Sequence, residues 1–137
     1  RQLLRQDLVS LRESRIEIGN HTHAHPILSK CSATEIEREI RDAHSIIEAS
    51  VGEPPLVFAY PNGDFDTRAE EFLGGLGYQA AFLFDHAHCR VEKTHPLRVS
   101  RLRVNASWGV ERLANCVSGL HPRYLRGRRE AKRLREF

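Results

Sequence analysis

Gly19-Asn20-His21-Thr22-His23-Ala24-His25-Pro26 closes a short alternating run, Arg15-Ile16-Glu17-Ile18-Gly19, and at once sets three histidines within five residues. Alternation of apolar and polar residues is the period of a half-buried strand, and Gly19-Asn20 is a turn signal that takes the chain out of it. Imidazole is a good ligand for a borderline cation such as zinc, and side chains at i and i+4 in a tight turn can converge on one ion. His21 and His25 are therefore candidate metal ligands on a loop that follows a strand. His23, between them, is expected to point elsewhere, and His44, His95 and His121 read as surface histidines.

Upstream of this stretch, Leu3, Leu4, Leu8 and Leu11 recur at helical spacing and predict an amphipathic helix over 2–14. Downstream, Ser32-Ala33-Thr34-Glu35 has the spacing of a capping box, and Ile36, Ile40, Ala43, Ile46 and Ile47 mark one face of a helix over 33–50. Gly52-Glu53-Pro54-Pro55 ends it, and the apolar run Leu56-Val57-Phe58-Ala59-Tyr60 predicts a buried strand broken by Pro61-Asn62-Gly63-Asp64. Asp66 is expected to cap a helix over 67–76 whose inner side holds Ala69, Phe72, Leu73 and Leu76. Strands are predicted over 80–84 and 100–104, with Ser107 as the cap of a helix near 108–118. The alternation implies a parallel α/β sheet or barrel, with chemistry at the loops that follow strand C-termini.

At 137 residues the chain is one domain, and 40% apolar with 28% charged residues gives it a core while excluding disordered and fibrous classes. No run approaches the roughly 18 apolar residues of a membrane span, and the first five residues hold no apolar signal core. It reads as a soluble segment. There is no methionine, so the chain is not expected to begin where translation begins. Cys31, Cys89 and Cys116 are odd in number and widely spaced, and read as free thiols, which leans towards a reducing compartment. Localisation stays open between cytoplasm and cell envelope. Residues 121–137 carry seven of the basic groups against two glutamates, so the net +3 comes from a basic tail on a nearly neutral body. Such a tail is a candidate contact for an anionic surface, and no pattern specific for nucleic acid accompanies it.

Glu17-Ile18-Gly19-Asn20-His21-Thr22-His23-Ala24-His25-Pro26 resembles the second motif of the polysaccharide deacetylases, the NodB-homology carbohydrate esterases, in which H-S/T-x-x-H/D supplies two metal-binding side chains. His21 and His25 take those positions, with Thr22 at the hydroxyl position that steadies the loop. Phe58-Ala59-Tyr60-Pro61-Asn62-Gly63-Asp64-Phe65-Asp66 is similar to the third motif in its F-A-Y-P-Y-G variant. Pro96-Leu97-Arg98-Val99-Ser100-Arg101-Leu102-Arg103-Val104 is similar to the R-L-P-R-I-x-V segment that follows in that variant, and the likeness runs from about residue 3 to 115.

The resemblance implies a (β/α) barrel of the NodB-homology type, incomplete at its N-terminus, over residues 1–118, with 119–137 as the basic tail. It implies a hydrolase that removes acetyl groups, N-acetyl foremost, from a carbohydrate by means of zinc-activated water. His21 and His25 would hold the metal, and the backbone N–H of Asn62 would steady the oxyanion. Tyr60, Pro61 and Asn62 would meet substrate. Ala59 stands where the family has the arginine that orients the base, and Arg101 is expected to take that task. The first motif, T-F-D-D-G, has no counterpart, since no Asp-Asp pair occurs in the chain. The chain is thus expected to lack the protein's N-terminal part and to be inactive alone; the alternative is a non-catalytic carbohydrate-binding or scaffold domain. His86, His88 and His95 are loose candidates for the acetyl-pocket histidine, while Asp64 and Asp66 read as turn former and helix cap. Oligomeric state is left open.

Overall fold

The computed structural model describes residues 3–119. The sequence alternation becomes α1 (Arg5–Glu13), α2 (Ala33–Val51), β1 (Val57–Ala59), α3 (Thr67–Gly75), β2 (Ala80–Phe82) and α4 (Val110–Val117). Single turns of 3-10 helix at Leu28–Lys30, Pro61–Gly63, Val91–Lys93 and Pro96–Arg98 punctuate the connections.

The two strands pair in parallel, Val57 with Ala80, Phe58 with Ala81 and Ala59 with Phe82. Parallel single bridges flank them, Asn20 against Phe58 on one side and Val99 against Phe82 on the other. Four strand positions thus lie side by side in chain order, and all of their C-terminal ends point the same way. The middle residue of each strand, Phe58 and Ala81, faces a core completed by Leu28, Ile36, Ile40, Tyr60, Leu73 and Leu97. Burying each of the larger aliphatic side chains contributes about 1.5–3 kcal/mol.

Helix α2 forms where the sequence places it because its termini are satisfied locally. Ser32 Oγ accepts the Glu35 N–H and a Glu35 carboxylate oxygen accepts the Ser32 N–H at 2.8 Å, while Gly52 stops the helix in the left-handed conformation. It buries Ile36, Glu39, Ile40 and Ala43, one residue more polar than its pattern suggests, and leaves Ile46 half exposed. In α3 Asp66 caps the Arg68 N–H at 2.9 Å, as expected, and Ala69 and Leu73 face inward.

Three expectations are corrected. The strand over 15–19 shrinks to a bridge at Asn20, whose N–H donates to Val57 O while its carbonyl accepts from Ala59 N–H. Among the described residues nothing pairs the other edge of 16–19, and alternation alone does not hold a strand. The strand over 100–104 is likewise a bridge at Val99, after which the chain leaves the sheet and Val104 is exposed. Ser107 does not cap α4; its N–H and hydroxyl both donate to Asn105 Oδ1 in a local turn, and the helix starts two residues later from Gly109.

Helix α1 packs along α2 but buries none of its residues fully, with Leu3 and Leu4 exposed. Cys31, Cys89 and Cys116 are free thiols. Among the described residues no helix is long and apolar enough to cross a membrane. The basic stretch 121–137, with His121, lies outside the described residues.

Candidate metal and substrate cleft

The histidine loop is built on Asn20, which is almost fully buried. Its amide nitrogen donates to Ile40 O at 3.0 Å and to the Tyr78 hydroxyl at 2.8 Å, and its amide oxygen accepts the Thr22 N–H at 2.8 Å. The Tyr78 hydroxyl in turn lies 3.0 Å from His44 Nδ1, and burial pushes its pKa up to about 12, so the phenol stays neutral as a link. Thr22 and His25 both adopt positive φ, 67° and 57°, a conformation that a β-branched residue such as threonine rarely takes. Thr22 Oγ1 accepts the His25 N–H at 3.0 Å and closes the turn. The loop is tied to α2 through Glu39, whose carbonyl accepts the His23 N–H and whose carboxylate accepts the Ala24 N–H.

These constraints bring the His21 and His25 rings edge to face, with centroids 4.7 Å apart. His21 Nδ1 lies 2.6 Å from Ala59 O. Since a carbonyl can only accept, Nδ1 carries the proton and Nε2 keeps its lone pair for a cation. The donor set thus fits two imidazole ligands of a divalent ion. Among the described residues no cluster of three or more His, Cys, Asp or Glu completes it.

The rings open on a cleft of about 270 Å³. Asn62 and Gly63 line it from the turn after β1, Phe84 from the segment after β2, and Arg101 from beyond the Val99 bridge. Every contributor follows the C-terminal end of a strand position, the place where parallel sheets leave room for ligands. Asn62 holds φ 55°, tolerable for asparagine, between Pro61 and Gly63. Arg101 is anchored by its Nε–H on Leu83 O at 2.6 Å, with its guanidinium carbon 5.5 Å from the centre of the Phe84 ring.

Of Tyr60 and Pro61, expected to meet substrate, Tyr60 lines the cleft although most of its side chain is buried, and Pro61 is buried outside the lining. The Tyr60 ring packs in the core and its hydroxyl donates to Leu97 O at 3.1 Å, with burial raising the phenol's pKa, so its side chain supports the cleft from beneath. Asn62 is exposed at the rim. His23 does not line the cleft. Asp64 accepts the Ser29 N–H, and Asp66, held below the usual carboxylate range by Arg68, serves α3, so both keep structural tasks. His95 Nδ1 accepts the Leu97 N–H beside Glu70, and His88 Nε2 lies 3.2 Å from Cys116 O; neither lines the cleft. His86 sits against Phe84, with ring centroids 4.9 Å apart.

Two contributors escape a reading of the sequence. Phe84 reads only as the end of a strand, although it is the exposed aromatic of the cleft. Glu39 occupies an inward position of α2 between Ile36 and Ile40, and a carboxylate on an apolar helical stripe is the signal that would have found it.

The polysaccharide deacetylase family model matches residues 5–81, more than half of the chain. Among curated proteins, the peptidoglycan-N-acetylmuramic acid deacetylase PdaC of Bacillus subtilis is 33% identical over 58 residues, which cover 42% of this chain and 12% of PdaC. Among solved structures, the Streptococcus pyogenes deacetylase PplD superposes with a TM-score of 0.74 at 17% identity over 84% of this chain and 50% of its own. The putative polysaccharide deacetylase BA0330 of Bacillus anthracis gives 0.72 at 23% identity over 84% of this chain and 36% of its own. The chain thus spans half or less of the length of these proteins, and the structural likeness is one of fold.

Proposed function

Since this chain belongs to the polysaccharide deacetylase family, we propose that it is part of a metal-dependent hydrolase that removes acetyl groups from a carbohydrate. The observation that carries this reading is the meeting of His21, His25, the Asn62–Gly63 turn and Arg101 in one cleft at the C-terminal ends of successive parallel strands. In this reading the sheet is one side of a (β/α) barrel, and the third ligand and catalytic base come from a carboxylate pair outside residues 3–119.

His21 and His25 would hold the ion, zinc by the preference of paired imidazoles for a borderline cation. Bound there, it would polarise the acetyl carbonyl and make water a nucleophile at neutral pH. The rest falls to side chains and backbone. Ala59 O fixes the His21 tautomer, so that in the neutral ring the lone pair is on Nε2. The Asn62 N–H would steady the carbonyl oxygen as charge builds there, and a donor held in advance is worth more than one that must reorient. Arg101 orients the base. N-acetyl is the favoured group, its acyl carbon passing to water as acetate while the sugar amine leaves, and the name of PdaC makes peptidoglycan the first polymer to assay.

The test is a cobalt or zinc titration of the chain beside His21→Ala/His25→Ala. The parent is expected to bind and the double variant to lose binding; equal affinities overturn the reading. A second reading is a carbohydrate-binding or scaffold domain without catalysis, and a CE4 family pseudoenzyme of Bacillus anthracis with a similar fold supports it. Acetate release by the full-length protein decides for the enzyme, and sugar binding without release for the binder.

A further inference from the structure

We infer that Glu39 is the positioning residue of the histidine loop, a role that rests on the metal reading above and extends it to a side chain remote from any family motif in the sequence. Glu39 is only 8% exposed, and among the described residues no basic side chain pairs with its carboxylate. An unpaired carboxylate in such a place is costly to bury, so what it bonds is informative. One carboxylate oxygen accepts the Ala24 N–H at 2.7 Å, and the backbone carbonyl of the same residue accepts the His23 N–H at 3.1 Å.

These two N–H groups belong to the residues between the two ligand positions. Their loop cannot hold its shape by propensity, because Thr22 and His25 stand at positive φ. A strained segment persists where its surroundings over-determine it. Asn20 and the Thr22 hydroxyl fix the two ends of the loop, and Glu39 fixes its middle against a helix that the core holds rigid through Ile36 and Ile40. Loss of the acceptor releases Ala24, and the 4.7 Å approach of the imidazoles goes with it.

The test compares Glu39→Gln, which keeps an oxygen acceptor, with Glu39→Leu, which fills the site without one. Cobalt affinity is expected to fall 10- to 100-fold in Glu39→Leu, the range for partners that orient metal ligands, and to stay near the parent's in Glu39→Gln. Amide exchange on the metal-free chain gives the second readout: the Ala24 N–H is protected in the parent and in Glu39→Gln, and exposed in Glu39→Leu. A leucine variant with parental cobalt affinity overturns the proposal, as does a glutamine variant that loses as much as leucine. If the parent binds no cobalt, the metal reading itself falls; Ala24 protection lost only in Glu39→Leu then still upholds Glu39's hold on the loop, and equal protection in all three chains removes it.

Discussion

At the scale of the residue, the cleft depends on one missing methyl group. Gly63 stands at φ 71°, and a Cβ built there would lie 2.3 Å from the Phe84 backbone nitrogen and 2.5 Å from its Cβ. A backbone atom cannot swing aside as the end of a lysine can, so Gly63→Ala must push the turn after β1 away from the segment after β2. The left-handed conformation adds its own penalty for alanine. Strain of this kind costs about 1–3 kcal/mol for the backbone conformation alone, with the steric displacement on top. Urea denaturation of Gly63→Ala is expected to show a loss in this range or beyond, whereas Gly75→Ala, with open space at its Cβ and no positive φ, is expected to be neutral or slightly stabilising.

At the scale of the element, what lies beyond β2 is locked to α3 by a charge cluster. The Arg98 guanidinium makes two hydrogen bonds to the Glu70 carboxylate, at 2.6 and 2.7 Å, and lies 4.5 Å over the Phe65 ring. Hydrogen bonding to Arg98 holds the Glu70 carboxyl below its usual range; backbone bonding to Ser32 does the same for Glu35, and side-chain bonding to Arg68 for Asp66. A carboxylate depressed in the folded state stabilises above its unfolded pKa of about 4.3 and loses that contribution as pH falls through the folded value. Stability is therefore expected to decline as pH drops below about 4.5, and Glu70→Gln to flatten that decline while lowering stability at neutral pH. Thermal melts from pH 3 to 7 check both slopes.

The same scale explains what could be read in advance. Helices α2 and α3 were legible because Ser32, Glu35, Gly52 and Asp66 bond within a few residues of themselves. The outer strand positions were legible only as existing, since one bridge each, at Asn20 and Val99, depends on a neighbour far away in sequence. His21 and His25 were legible through ligand chemistry, but the hold of Glu39 on their loop and the place of Phe84 in the cleft depend on tertiary register.

At the scale of the whole molecule, the cleft draws on all four strand positions, so an ion held there couples to global unfolding. A ligand that binds only the folded chain stabilises it by about 2.7 kcal/mol at a hundredfold excess over Kd. Zinc at that excess is expected to raise the melting temperature of the parent and to leave His21→Ala/His25→Ala unmoved; equal shifts in both would place the ion elsewhere. The side-by-side order of the strand positions has a consequence for biosynthesis. Each pairing reaches back only to its immediate predecessor, and each closes a shorter stretch of chain than the one before. A polypeptide emerging from the ribosome can therefore lay down its sheet like successive planks, every new one finding its seat already built.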